Sequence, residues 1–126
     1  MNRNPVGWFE IYADDIERAK TFYQNLLAVK LDQLTSPEDV VTQMWAFPMD
    51  PQAAGSSGAL VKMQNERPSG NGVIVYFSCD DCAVEAGRAT TNGGSIMKDK
   101  FSIGQYGFIA LVNDTEGNVI GLHSMK

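Results

Sequence analysis

The order strand, helix, strand, strand, strand occurs twice in this chain and predicts an α+β fold: two tandem βαβββ modules forming a curved mixed sheet, as half-barrels around a cavity. Three observations carry that prediction. Hydrophobic periodicity alternates between the strand and the helix repeat in the same order in each half. The junctions Ala13-Asp14-Asp15-Ile16 and Cys79-Asp80-Asp81-Cys82 stand 66 residues apart, each placing an acidic pair between a strand and a helix. A polar stretch with Pro68, Gly70 and Gly72 separates the halves, so module one spans 6–63, the linker 64–72 and module two 73–124 of a single 126-residue domain.

Residues 6–13, Val-Gly-Trp-Phe-Glu-Ile-Tyr-Ala, are rich in aromatic and branched side chains and predict the first strand. Trp8, Glu10 and Tyr12 share one face of it, Phe9 and Ile11 the other. Asp14 stands three positions before Glu17 as a variant capping box, and Ile16, Ala19, Phe22, Tyr23, Leu26 and Leu27 follow at helical spacing, giving an amphipathic helix of about three turns. Strands are expected over 29–34, 40–47 and 58–63. Between the last two, the stretch from Pro48 to Gly58 carries Met49, Asp50, Pro51 and Gly55 and reads either as a lid over the cavity or as a plain connection.

Beyond the linker the order recurs. A strand is expected over 73–79, a helix over 81–92 stopped by Gly93-Gly94, and strands near 95–101, 106–113 and 118–124. Phe9-Glu10-Ile11 overlays Val75-Tyr76-Phe77, which makes Tyr76 the counterpart of Glu10.

Composition narrows the function classes. Net charge is −5 and the ten Lys and Arg are scattered, so the basic footprint of a nucleic-acid binder is missing. No apolar stretch is long enough to span a membrane, and Met1-Asn2-Arg3-Asn4-Pro5 leads into the first strand without a signal-like segment, which reads as a cytoplasmic protein. Cys79-x-x-Cys82 has the spacing of a redox pair or of half a zinc site. Neither reading has support nearby: the single histidine is distant in sequence, and Asp80 and Asp81 disfavour a thiolate.

The segments Trp8-Phe-Glu-Ile-Tyr-Ala-Asp-Asp-Ile-Glu-Arg-Ala-Lys-Thr-Phe-Tyr23, Val75-Tyr-Phe-Ser-Cys-Asp-Asp81, Asn92-Gly-Gly94 and Asp114-Thr-Glu-Gly-Asn-Val-Ile-Gly-Leu122 together cover most of the chain. In this order and spacing the chain resembles the vicinal oxygen chelate superfamily, which contains glyoxalase I, bleomycin-resistance proteins and extradiol dioxygenases. The resemblance implies a cavity between the half-sheets and, in metal-dependent members, a divalent ion held by one His from the first strand and one acid from a late strand of each module. That ion polarises neighbouring substrate oxygens. Here the positions of the two His are Trp8 and Ile74, the late-strand acid of module two is Gly121, and that of module one falls around Gln43 to Trp45. None of these holds a divalent ion, so no metal and no cofactor is expected.

Two residues are candidates for chemistry. Glu10 faces the same way as Trp8 and is either a ligand contact, a general base, a displaced metal ligand, or a carboxylate satisfied by a basic neighbour. His123 lies two residues beyond Gly121 on the same strand face and is either an acid/base or ligand group, or a satisfied histidine near the end of the sequence. The aromatic residues Trp8, Tyr12, Trp45, Phe47, Tyr76 and Phe108 are expected to supply several stacking surfaces on the concave face, with core packing as the alternative for each one.

Three functions fit. The first is a small-molecule-binding protein like bleomycin-resistance members, taking an aromatic or apolar ligand without metal. The second is a metal-dependent lyase, isomerase or dioxygenase with unusual ligands, and the third a metal-free isomerase using Glu10 as base. The resemblance also implies a homodimer.

Overall fold

The computed structural model describes residues 3–35, 41–64 and 72–126. Val6–Tyr12 form strand β1, whose aromatic and branched residues suit a pleated surface. Helix α1, Ile16–Leu27, begins one residue later than its capping pattern suggests: Asp15, not Asp14, accepts the Arg18 N–H at 3.0 Å. It ends at Ala28 in the left-handed region, φ 54°, whose N–H closes on the carbonyl of Gln24. The Val29 N–H also reaches the Gln24 carbonyl and the Leu31 N–H the Gln24 side chain, at 3.1 and 2.9 Å. This wrap around the helix end occupies 28–31 and leaves only Asp32–Leu34 for β2, shorter than the expected 29–34.

Strands β3, Val41–Ala46, and β4, Ser57–Met63, complete the first βαβββ set. The second comprises β5, Val73–Ser78; α2, Cys82–Thr91; β6, Ser95–Ser102; β7, Phe108–Asn113; and β8, Val119–Ser124. A single 3-10 turn, Gly104–Tyr106, precedes β7. The strands hydrogen-bond in the order β2-β3-β4-β1-β5-β8-β7-β6. The expected linker, apart from Gln64 and Gly72, and the expected first residue of β3, Val40, lie outside the described residues.

The duplication recurs in hydrogen bonding at two points. Asp15 and Asp81 are the two helix N-caps, the latter accepting the Ala83 N–H at 3.0 Å. Ala13 donates to the Val61 carbonyl at 2.9 Å, and its counterpart Cys79 donates to the His123 carbonyl at 2.7 Å. Each bond ties the strand-to-helix junction to the last strand of its own set, so Val61 corresponds to His123 and Ala59 to Gly121.

Packing groups the chain into two units, Phe9–Val73 and Met1–Trp8 with Ile74–Lys126. The division falls inside β1 because its start is tied to the second set: the Ser78 N–H donates to the Pro5 carbonyl at 2.9 Å, and a Cβ at Gly7 would come within 2.2 Å of the Ser78 Oγ.

In the unit Phe9–Val73, α1 covers one sheet face through Ile16, Leu31, Phe47 and Leu60, with Phe9, Ile11, Tyr23 and Trp45 around them. Phe9 lies on Gly58, where a Cβ would meet its ring at 2.4 Å, so a glycine is needed for this close approach. In the other unit, α2 packs through Cys82 and Ala86 on Cys79, Ala110, Val112 and Leu122. Leu31, Leu60, Val61, Ile74 and Val112 are almost wholly out of solvent, and each such side chain contributes about 1.5–3 kcal/mol of apolar transfer free energy. Ser124, the one buried polar side chain among the described residues, accepts the Cys82 N–H at 3.0 Å and donates to the Lys126 carbonyl at 2.8 Å, satisfying an open donor at the start of α2.

Candidate functional site

A strand presents alternate residues to opposite faces, so the residues packed on each helix fix what the helix-free face carries. On β1, Phe9 and Ile11 belong to the α1 core, which turns Trp8, Glu10 and Tyr12 to the other side. The β3–β4 register pairs Met44 with Val61 and Ala46 with Ala59, both pairs alternating with the α1-facing Trp45–Leu60 pair. Thus Glu10 and Tyr12 share their face with Met44, Ala46, Ala59 and Val61, all four no more than 6% exposed.

The polar centre of this face is a carboxylate and a phenol. The Tyr12 hydroxyl donates to Glu10 Oε1 at 2.6 Å, with Tyr12 6% exposed and Glu10 half-buried. Two-residue spacing on one strand puts both side chains on the same face, and the carboxylate takes a phenol where a basic neighbour was the expected partner. The bond orients the carboxylate.

Trp45 and Phe47 are corrected by the structure. They were expected on the concave face but belong to the α1 side: Phe47 packs on Phe9 and Tyr23 with ring centroids 5.5 and 5.7 Å away, and Lys20 of α1 sits 3.4 Å from the Trp45 ring centroid. The Trp45 indole N–H donates to Gln43 Oε1 at 3.0 Å, so Gln43 is on the helix side too. Met44 and Ala46 are the residues of β3 that turn away from α1.

In the other unit the helix-free face carries Ile74, Tyr76, Ile109, Leu111, Val119, Gly121 and His123. Tyr76 pairs with Gly121 across β5 and β8, and Ile109 with His123 across β7 and β8. Tyr76 and His123 therefore lie on the helix-free face of this unit. Phe108 does not: it packs with Ala110 and Val112 on the α2 side, where Lys100 lies 4.8 Å from its ring centroid.

His123 is half-buried, and its Nε2 is 2.5 Å from the Tyr106 carbonyl. A carbonyl only accepts, so Nε2 is the donor of this bond.

The residues at the family's metal positions do not fit a divalent ion. The hydrogen-bond correspondence moves the late-strand position of module one from β3 to Ala59 on β4, which has no exposed surface. Ile74 is equally buried, and a Cβ at Gly121 would fall 2.1 Å from Tyr76 Cδ1, so no side chain fits there as the strands are arranged. With Trp8 the set offers indole and hydrocarbon where oxygen or imidazole donors are required. Among the described residues no three His, Cys, Asp or Glu side chains are grouped to hold a metal.

Cys79 and Cys82 are free and buried. Burial, and then Glu85 beside it, push the Cys79 thiol up to about 12, so it stays protonated at neutral pH and is a poor nucleophile. Its Sγ donates to the Phe77 carbonyl at 3.7 Å. Both cysteines belong to the α2 core.

The sequence matches the family model of the glyoxalase/bleomycin resistance protein/dioxygenase superfamily over residues 6–122. The chain belongs to this superfamily. Among superfamily relatives, a glyoxylase-like domain-containing protein of Didymella fabae is 28% identical over 114 residues, covering 90% of this chain and 88% of that one. A methylmalonyl-CoA epimerase of Streptomyces coelicolor, solved with 2-nitronate-propionyl-CoA, has 18% identity and a TM-score of 0.70, with 96% of both chains covered. A hypothetical protein of Bacillus halodurans gives 15% and 0.73 over 96% of this chain and 94% of that one. The epimerase of Mycobacterium tuberculosis gives 15% and 0.70 over 97% and 88%. These solved structures share the superfamily fold with this chain.

Sequence reasoning missed Met44, Ala46, Ala59 and Val61. Their parity relative to Leu60 and Trp45 holds the signal, but reading it requires the β3–β4 register, which the bulge between Val41 and Gln43 offsets.

Proposed function

We propose that this superfamily member binds a small molecule with an apolar body and one polar group, without a protein-bound divalent metal, and that Glu10 is the polar anchor. The single observation that supports this most is the Tyr12–Glu10 hydrogen bond on a sheet face otherwise lined by Met44, Ala46, Ala59 and Val61. Such a face offers apolar contact and one oriented acceptor, which is the usual balance of a small-molecule site. The carboxylate would accept a hydrogen bond from a hydroxyl, amide or ammonium group of the ligand. Trp8, two residues before Glu10 on the same face of β1, would supply a flat contact surface. Two free thiols agree with a protein working in the reducing cytoplasm.

A thermal-shift screen tests the reading, using aromatic acids, hydroxylated hydrophobes and acyl-CoA esters, the last because the S. coelicolor protein of this fold is solved with one. A ligand at 100 times its Kd raises stability by about 2.7 kcal/mol. The shift should be unchanged by EDTA and lost in Glu10→Ala. A shift that chelator abolishes and added metal restores would overturn it, as would binding indifferent to Glu10. Turnover of a bound ligand, with loss in Glu10→Gln, would extend the role of Glu10 from anchor to base.

A further inference from the structure

We propose that the β6–β7 turn, residues 103–107, is a flap held shut by an internal stand-in for a ligand: the Tyr106 carbonyl occupies the His123 N–H that the carboxylate of an apolar acid takes when the flap opens. On the helix-free face of its unit His123 pairs with Ile109 of β7, and Ile109 pairs in turn with Phe101 of β6. The His123 ring bonds the Tyr106 carbonyl from that face, so the tip of the turn bends over the rim of this row. The other bonds of the turn are internal to it and its β6 stem. The Ile103 N–H donates to the Gly107 carbonyl at 2.9 Å, the Gly107 N–H to the Gly104 carbonyl at 3.1 Å and the Gly104 N–H to Ser102 Oγ at 3.1 Å. The two ends of the tip differ. Gly107, φ 99°, is pinned, because a Cβ there would meet the Ser124 carbonyl at 2.5 Å; Gly104, φ 70°, is open, with nothing within 4 Å of a Cβ. Two glycines in the left-handed region thus bracket a tip that, among the described residues, one hydrogen bond ties to another strand.

The chemistry of the row selects the ligand. His123 Nε2 is a donor and requires an acceptor. Lys98, on this face through its pairing with Leu111, holds its ammonium 3.9 Å from the Phe101 ring centroid and adds positive potential beside the apolar Phe101 and Ile109. A charged oxygen on an apolar body accepts a stronger hydrogen bond than the neutral Tyr106 carbonyl and so displaces it. The ligand has to break the closed contact first, which reduces its apparent affinity by the fraction of molecules that are open. Every residue invoked belongs to the unit that contains Ile74–Lys126, so the inference stands independently of Glu10 and the ligand proposed for it.

Amide hydrogen exchange followed by NMR tests it, with benzoate as the probe. His123→Ala should speed exchange at Gly104 and Gly107 about fivefold, the loss of one hydrogen bond, and leave Ala110, Leu111 and Val112 of β7 unchanged. His123→Gln, whose amide nitrogen stands where the ring Nε2 stood, should restore the protection. Benzoate should speed exchange at the same two glycines in the parent protein and should not bind His123→Ala. Gly104→Ala penalises the closed backbone without touching His123, so it should bind benzoate about threefold more tightly. Equal exchange in the parent and His123→Ala would overturn the proposal. So would a parent protein that does not bind benzoate, or one that binds it no more weakly than Gly104→Ala does. Should His123→Ala fail to fold, the parent and Gly104→Ala carry the test alone.

Discussion

The Tyr76 ring lies flat against the backbone of Gly121, its partner across β5 and β8, so closely that any side chain at 121 has to displace it. A tyrosine on one strand has taken the space that the family's late-strand carboxylate would occupy. Gly121→Ala should therefore destabilise the protein by about 1–3 kcal/mol through overpacking. In a Tyr76→Ala background the same change should cost much less. Urea unfolding of the two single variants and the double variant checks this, and equal costs in both backgrounds would contradict the contact.

Tyr12→Phe removes the donor to Glu10 Oε1 and should cost roughly 1.5–3 kcal/mol, the range for a hydrogen bond to a charged acceptor. Glu10→Gln keeps an acceptor oxygen and should cost less. A double-mutant cycle between the two positions should give a coupling energy above about 0.5 kcal/mol; purely additive effects would mean that the bond does not matter to the fold.

Asp114 organises the β7–β8 turn. Its Oδ1 accepts the N–H groups of Glu116 and Asn118 at 2.8 and 2.9 Å, and its Oδ2 the Asn118 side-chain amide at 2.9 Å. The Asn118 side chain first, then these backbone donors, hold its carboxyl below the usual carboxylate range. A folded value lower than the unfolded one means that the stabilisation is fully present above the unfolded value of about 4 and is lost as pH falls through the folded value. Asp114→Ala should lower the melting temperature at pH 7 and flatten the acid limb of the stability profile. An acid limb identical to that of the parent protein would show that the turn carries no such linkage.

The thiols should be inert in the folded state. At pH 8, Ellman's reagent should titrate neither cysteine in the native protein and both in urea, because Cys79 is pushed up to about 12 and both are buried. Rapid reaction of either thiol in the native state would restore the redox reading of Cys79-x-x-Cys82.

By itself the sequence determined the duplicated βαβββ plan, because the switch from strand to helix period and the two acidic junctions are local signals written twice. It also determined the Glu10–Tyr12 pairing on one face of β1, since residues two apart on a strand cannot point to opposite sides. Tertiary structure decided which face each later strand gives to its helix. β7 is buried on both sides at Ile109, Ala110, Leu111 and Val112, so no alternation of polarity marks the sides of that strand. β3 carries a bulge after Val41, and a one-residue offset exchanges every side chain downstream. Trp45, Phe47 and Phe108 consequently went to the helices, Met44 took the face they were expected to hold, and only the pairing of β4 and β8 with their own modules showed Ala59 to be the counterpart of Gly121.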